Sequence, residues 1–150
     1  MAEAVGKEGE VVGMDITQSM IDVAQERYGA LVNIIFLKKD VTQSWEYRDH
    51  FDGIFTSFSI HELPEKYRVG VLERSYLALK GQGRMVIADF NPQPSGMAKI
   101  LSLFFFKLFE RKNISFFSFP QNEILRRVGF RKVRTFPVLG GVFQITLARR

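Results

Sequence analysis

The 150-residue chain contains no cysteine, which removes disulfides, thiolate nucleophiles and cysteine-held metals from consideration. Such a chain suits a reducing cytoplasm without demanding one, and a cytoplasmic location is expected. No uninterrupted apolar run approaches the roughly 20 residues that span a bilayer. The first residues also lack the basic-then-apolar order of a secretory leader. Histidine is scarce, with only His50 and His61. No group of His, Asp and Glu has metal-ligand spacing, so no metal is expected. No Ser/His/Asp grammar surrounds a nucleophile elbow. Acid is scarce too, but in one part only. Residues 99–150 hold 11 Lys/Arg against Glu110 and Glu123, whereas residues 1–98 hold 10 Lys/Arg against 14 Asp/Glu. A basic half can attract a membrane surface or an anionic substrate, or simply be a solvated face. Nucleic acid has only this charge in its favour and is not the expected partner.

What is present points to a folded α/β domain. The 46% hydrophobic share beside 25% charged residues excludes a disordered chain, and the length predicts a single domain over 1–150. The organising stretch is Val11-Val12-Gly13-Met14-Asp15-Ile16-Thr17 followed by Gln18 to Ala24. It reads as a buried strand ending in an acid, a tight turn and a helix, with Thr17 as N-cap and Met20, Ile21 and Ala24 at helical spacing. Ligands of open α/β sheets bind beyond the carboxyl ends of strands, where an acid can accept ribose hydroxyls. Asp15 occupies such a position. An acid of that kind follows a glycine-rich turn by about 20 residues, yet only 14 residues precede Asp15. The chain reads as beginning one βα unit late.

The remaining elements follow in order. Residues 1–9 look like a helix tail and a Gly-rich turn, and the helix from Gln18 to Tyr28 stops at Gly29 as a C′ residue. Val32–Leu37 and Phe51–Phe58 are β-branched and aromatic enough for strands. Thr42–Asp49 is a short helix or loop. Glu65–Leu79 shows a helical stripe of Val69, Leu72, Tyr76 and Leu79, broken by Gly81-Gln82-Gly83 before a strand Arg84–Phe90. Met97 to about Lys112 is apolar on nearly all sides, and Ser115–Phe119 adds three phenylalanines. Pro120–Val128 reads as a helix closed by Gly129. Arg131–Phe136 and Val142–Leu147 form an antiparallel strand pair. Alternating strands and helices without hairpin turns imply a Rossmann-like, doubly wound and mostly parallel sheet, with that antiparallel pair at its end and the first βα unit missing.

Four segments carry a family resemblance: Val11 to Asp15 with Met20 to Ala24, Phe51-Asp52-Gly53-Ile54-Phe55, and Leu77 through Gly81-Gln82-Gly83 to Phe90. In this order and at these intervals they resemble the class I S-adenosylmethionine-dependent methyltransferases. Within that superfamily, the tone is similar to the ubiquinone/menaquinone-biosynthesis C-methyltransferases and the type 11 methyltransferases. The departure is the absence of the family's first strand and its Gly-x-Gly-x-Gly turn.

The resemblance implies S-adenosylmethionine as cofactor and methyl transfer to a small, apolar acceptor. It makes Asp15 the ribose-binding acid with Ile16 beside it, and Asp40 the acid that accepts the adenine amino group, with Val41 against the ring. Ser57 and Phe58 would pass the cofactor's reactive end. His61, in Ser-Ile-His-Glu-Leu-Pro, is the candidate catalytic base. Each has a plainer reading: Asp15 and Asp40 as loop caps, Ser57 and Phe58 as turn residues, His61 as a core histidine. The apolar insertion at 96–119 is open to three readings: a helix buried on the sheet, a lid over an apolar acceptor, or an interfacial anchor that makes the protein peripheral to a membrane. The alternative function is a methyltransferase-fold partner, or a fragment, that does not bind cofactor. A homo-oligomer or a partner chain would then fill the slot of the missing strand. A nicotinamide-dependent enzyme is a further rival, since an acid after the second strand suits either nucleotide.

Overall fold

The computed structural model of the chain describes residues 1–109 and 114–150, the side chains of 105–109 and 114 excepted. The chain divides into two units, Met1–Ser44 and Trp45–Arg150.

The first unit holds α1 (Ala2–Val5), β1 (Val11–Asp15), α2 (Gln18–Tyr28) and β2 (Ile34–Lys38). The strands are parallel, from Val11 opposite Ile34 to Asp15 opposite Lys38, as a helical crossover requires. Gly13 lies opposite Phe36, and a Cβ there would come within 2.9 Å of the Phe36 ring. The glycine is therefore what lets the phenyl ring lie across β1. A four-residue helix is marginal alone. Here the Asn33 amide donates to Ala2 O at 3.0 Å and Gly6 O at 2.8 Å and ties α1 to the turn before β2.

Helix α2 keeps its expected bounds, but its ends differ from expectation. Thr17 makes no side-chain cap; instead its own N–H donates to Asp15 Oδ1 at 2.7 Å. Gly29 has a helical φ of −65° rather than a left-handed one. The strand expected from Val32 begins at Ile34, because Val32 is 99% exposed and pairs with nothing in the ladder.

The second unit holds β3 (Phe51–Ser57), α3 (Glu65–Ala78), β4 (Leu79–Phe90), α4 (Gly96–Phe109), a 3-10 turn Ile114–Ser118, α5 (Gln121–Val128), β5 (Arg131–Val138), a 3-10 turn Leu139–Gly141 and β6 (Phe143–Arg149). Residues 42–49 contain no helix. The sheet order is β3-β4-β6-β5. β3 and β4 are parallel, while β4 with β6 and β6 with β5 are antiparallel, so the expected terminal antiparallel pair forms and is joined to β4 by a further antiparallel ladder. The expected continuation of α4 to Lys112 falls outside the described residues.

Two expectations shift in this unit. The buried face of α3 is Arg68, Val71, Leu72, Ser75 and Ala78, so Val69 and Tyr76 of the expected stripe lie at its margin. Gly81-Gln82-Gly83 does not end the helix; α3 stops at Ala78 and β4 already contains the three residues. There the ladder jumps from Leu79 to Arg84 on β4 while β3 moves only from Phe51 to Gly53. Gln82 takes a φ of +74° inside this bulge, which has the local signature of a strand irregularity.

Beyond the bulge β4 alternates strictly, with Met85, Ile87 and Asp89 buried. These face Ala148, Thr146 and Gln144 on β6, all buried as well. The hydroxyl of Thr146 accepts from Gln121 Nε2 at 3.0 Å, which ties α5 to the sheet. Leu72, Leu79, Leu125 and Phe116 complete the apolar interior. At the far end, the Arg150 guanidinium donates to Asp49 Oδ1 at 2.5 Å and to the carbonyls of Leu77 and Leu79.

Gly129 ends α5 with φ +121°, and a Cβ there would meet Tyr76 Cζ at 2.8 Å. Gly129→Ala is therefore expected to destabilise the protein by about 2 kcal/mol. The measurement is urea unfolding, where the midpoint should fall at unchanged slope.

Candidate functional site

Parallel pairing sets the carboxyl ends of neighbouring strands side by side, which is where α/β sheets bind ligands. In the first unit, Asp15 ends β1 and lies opposite Lys38 at the end of β2, and Lys39 N donates to Asp15 O at 2.8 Å. One carboxylate oxygen of Asp15 accepts from Thr17 N; the other has no partner among the described residues and can accept a hydroxyl. Ile16, 61% exposed, presents an apolar surface beside it. An acceptor beside an apolar surface has the chemistry to take a ribose hydroxyl.

Asp40, two residues past β2, is used differently. Its Oδ1 accepts from Thr42 N at 2.8 Å and Thr42 Oγ1 at 2.7 Å, and Oδ2 lies 3.5 Å from Gln43 Nε2. The carboxylate caps its own turn, which is the plainer reading of that residue. Val41 is half-buried next to it.

In the second unit, Ser57 pairs with Ala88, so the ends of β3 and β4 adjoin. The chain then turns sharply. Phe58 has φ +49°, and its N–H donates to Ala88 O at 2.8 Å. A bulky residue in the left-handed region costs about 1–2 kcal/mol. The turn is held by Asp89, which is 1% exposed. Its Oδ2 accepts from the N–H groups of Ile60 at 3.0 Å and His61 at 3.2 Å. Its Oδ1 accepts from Phe90 N at 2.7 Å and faces His61 Nδ1 at 2.6 Å. Four donors fill the carboxylate, the condition on which a buried charge is tolerated.

An ionised carboxylate can only accept, so Nδ1–H of His61 donates to Asp89, and in the neutral imidazole this leaves Nε2 as the acceptor nitrogen. A carboxylate orients a general-base histidine in the same way. The imidazole is itself buried. Phe90, Phe116 and Phe58 stand around it edge-on, with ring centroids at 5.0, 6.1 and 6.3 Å. Phe143 packs on Phe58 and Phe90 at 5.5 and 4.9 Å. His50, by contrast, packs with Tyr47 and Phe51 and has no carboxylate partner of this kind among the described residues.

Arg68 is a residue that the sequence reading passed over. It is fully buried, with Nε donating to Leu63 O at 3.0 Å and Nη1 to Ser115 Oγ at 3.4 Å. Its guanidinium lies 5.3 and 5.5 Å from the Phe116 and Phe119 rings, while Nη2 has no hydrogen-bond partner among the described residues. Burial pulls its pKa below the usual arginine value, and the charges of Glu65 and Asp89 pull the other way. Helical spacing alone could have flagged it, since Arg68 shares a face with Leu72 and Ser75. Asp89 was likewise readable from β4's alternation, on the same face as Met85 and Ile87. Its pairing with His61, 28 residues away, left no local signal.

Two stability tests separate these groups. Asp89→Asn puts an NH2 group among N–H donors and should cost about 3 kcal/mol in urea unfolding. Arg68→Met removes a buried cation with an unmet donor while keeping bulk. It should leave stability within about 1 kcal/mol of the parent or above it.

Comparison with known proteins bears on the family and the fold. Residues 1–83 match the family model described as a methyltransferase domain. A demethylmenaquinone methyltransferase of Staphylococcus aureus (strain JH9) is 26% identical over 161 aligned residues, covering 95% of this chain and 66% of that protein. The chain thus spans just under two thirds of the length of this curated relative. Among solved structures, a SAM-dependent methyltransferase from Aquifex aeolicus superposes with a TM-score of 0.67 at 22% identity, over 99% of this chain and 72% of the other. A possible exported protein from Bordetella parapertussis gives 0.72 at 19% identity, over 94% and 53%. These likenesses bear on the Rossmann-like fold. With more than half its length matched by the family model, the chain belongs to the methyltransferase-domain family of the class I S-adenosylmethionine-dependent superfamily.

Proposed function

We propose that the protein transfers a methyl group from S-adenosylmethionine to a small apolar acceptor, and that both units belong to one methyltransferase domain over 1–150 carrying an apolar helical insertion at 96–119. The observation that carries the acceptor side is the His61–Asp89 pair, a proton acceptor set among phenyl rings at the carboxyl edge of β3 and β4. A quinol, the two-electron-reduced form of the quinone named for the Staphylococcus aureus relative, has the ring hydroxyl and nucleophilic ring carbon that this step needs, and it suits aromatic surroundings.

The cofactor supplies an electrophilic methyl with a neutral thioether as its leaving group. Asp15 holds the ribose hydroxyls with the carboxylate oxygen that Thr17 leaves open, and Ile16 excludes water beside it. Asp40 and Val41, just past the carboxyl end of β2, hold the adenine, the role that the family resemblance gives them. Ser57 and Phe58 orient the reacting ends through the backbone of the turn after β3. His61 takes the proton from the acceptor's hydroxyl or acidic carbon at Nε2. Asp89 stabilises the resulting imidazolium through Nδ1–H. Most of the rate then comes from alignment and dryness, because the leaving group needs no activation.

The experiment is calorimetric titration with S-adenosylhomocysteine, followed by transfer of radiolabelled methyl to demethylmenaquinol. Binding is expected, and Asp15→Ala should weaken it about tenfold to a hundredfold by removing charge-assisted hydrogen bonds. His61→Ala should leave that affinity unchanged and lower turnover about a hundredfold or more. Absence of cofactor binding by the folded protein would overturn the reading.

A further inference from the structure

We propose that the outward face of α4 docks on an anionic lipid membrane. An amphipathic helix ordinarily buries its large apolar residues and turns polar ones outward. The described part of α4 does the reverse. Its buried positions are Ala98 and Ser102, four residues apart, so the inward stripe carries a methyl and a hydroxymethyl group. Ala98 packs close to Gly141, 3.6 Å from where a Cβ on that glycine would stand. Small side chains let the helix lie close to the body of the unit and leave the bulky ones outside. Met97 is 70% exposed and Ile100 64%, with Leu101 and Leu103 exposed as well. On the turn that contains Gly141, Leu139 is 72% exposed. Contiguous apolar surface of this kind marks a binding face.

Charge decides the occupant. Lys99 is exposed in the middle of the face, and no Asp or Glu occurs between Phe90 and Phe109. Over 99–150 the formal balance is +9. A second copy docked on this face would set Lys99 and its acid-free stretch against themselves, whereas a surface of anionic headgroups complements them. Fourteen residues of helix extend about 21 Å, and no helix among the described residues is long and apolar enough to cross a membrane. The geometry is that of a helix lying in the plane of the interface, with aliphatic side chains down and lysine at headgroup level. This docking does not depend on methyl transfer.

Co-sedimentation with phosphatidylcholine vesicles, with and without phosphatidylglycerol, tests it. The bound fraction should rise about tenfold with phosphatidylglycerol, and high salt should reverse most of the gain. The double variant Met97→Asp, Ile100→Asp should lose binding about tenfold at unchanged circular dichroism. Should that variant not fold, hydrogen exchange of the unaltered protein decides instead, since vesicles should slow the amides of 97–104. No pelleting with either vesicle, no preference for phosphatidylglycerol, an unaffected variant, or slowing confined to other segments would each overturn the proposal. So would a concentration-dependent dimer that the variant dissolves. Because the readouts need no cofactor or acceptor, their failure is distinct from failure of the methyltransferase reading.

Discussion

A carboxylate with no access to water must be surrounded by donors or be driven to neutrality. In the second unit that requirement falls on Asp89, and the architecture of the β3–α3 connection follows from it. Three of its four donors are backbone N–H groups of Ile60, His61 and Phe90. The chain leaving β3 must therefore bend back at once, and the left-handed Phe58 is the residue that makes the bend. The fourth donor is the His61 ring, which fixes the imidazole among the phenyl groups. One side chain thus sets a loop conformation, a strained backbone angle and a tautomer together.

Beneath this loop the unit has chosen polar groups where an apolar core would have been simpler. Arg68, Gln121, Thr146 and Gln144 are all buried. The Thr146 hydroxyl serves several of them, accepting from Gln121 and from Gln144 at 3.4 Å and lying 3.3 Å from Thr135 Oγ1. Buried polar networks specify one arrangement over its rivals only when fully satisfied. Here Gln121 Oε1 and Arg68 Nη2 have no partner among the described residues. Both residues lie near the segment that carries Phe116 and Phe119.

Much of the fold was legible because local pattern and tertiary environment agree. Helix α2, the parallel strands and the terminal antiparallel pair followed from periodicity and turn residues. Errors arose where local preference was overruled. The α3 stripe was misplaced because Arg68 and Ser75 occupy its inward face, which a count of apolar residues cannot show. Gly81-Gln82-Gly83 reads as a breaker, yet it became a bulge because β3 offers β4 a partner on both sides of it. The candidate site residues were chosen because they sit at or just past strand ends, and that placement is the part of the reading the structure reproduces for Asp15 and Ser57. The His61–Asp89 contact was hidden because two adjoining parallel strands, far apart in sequence, create it. α4 was readable as apolar but not as inverted, since only packing reveals which stripe faces in.

The Arg150 contact has a consequence for how the second unit is made. Its guanidinium meets Asp49 across 101 residues, and the backbone N–H of Arg150 donates to Gly83 O at 2.9 Å. Closing a loop of that length carries an entropic cost of order 4 kcal/mol beyond a constant, more than an exposed ion pair returns. The β4–β6 ladder, rather than the arginine, must therefore drive closure. During synthesis β4 emerges more than fifty residues before β6 begins, so one of its edges waits unpaired while the basic half is still being translated. The polar interior of Gln144 and Thr146 is installed last. Until then the nascent unit presents an open strand edge, which is a template for wrong partners.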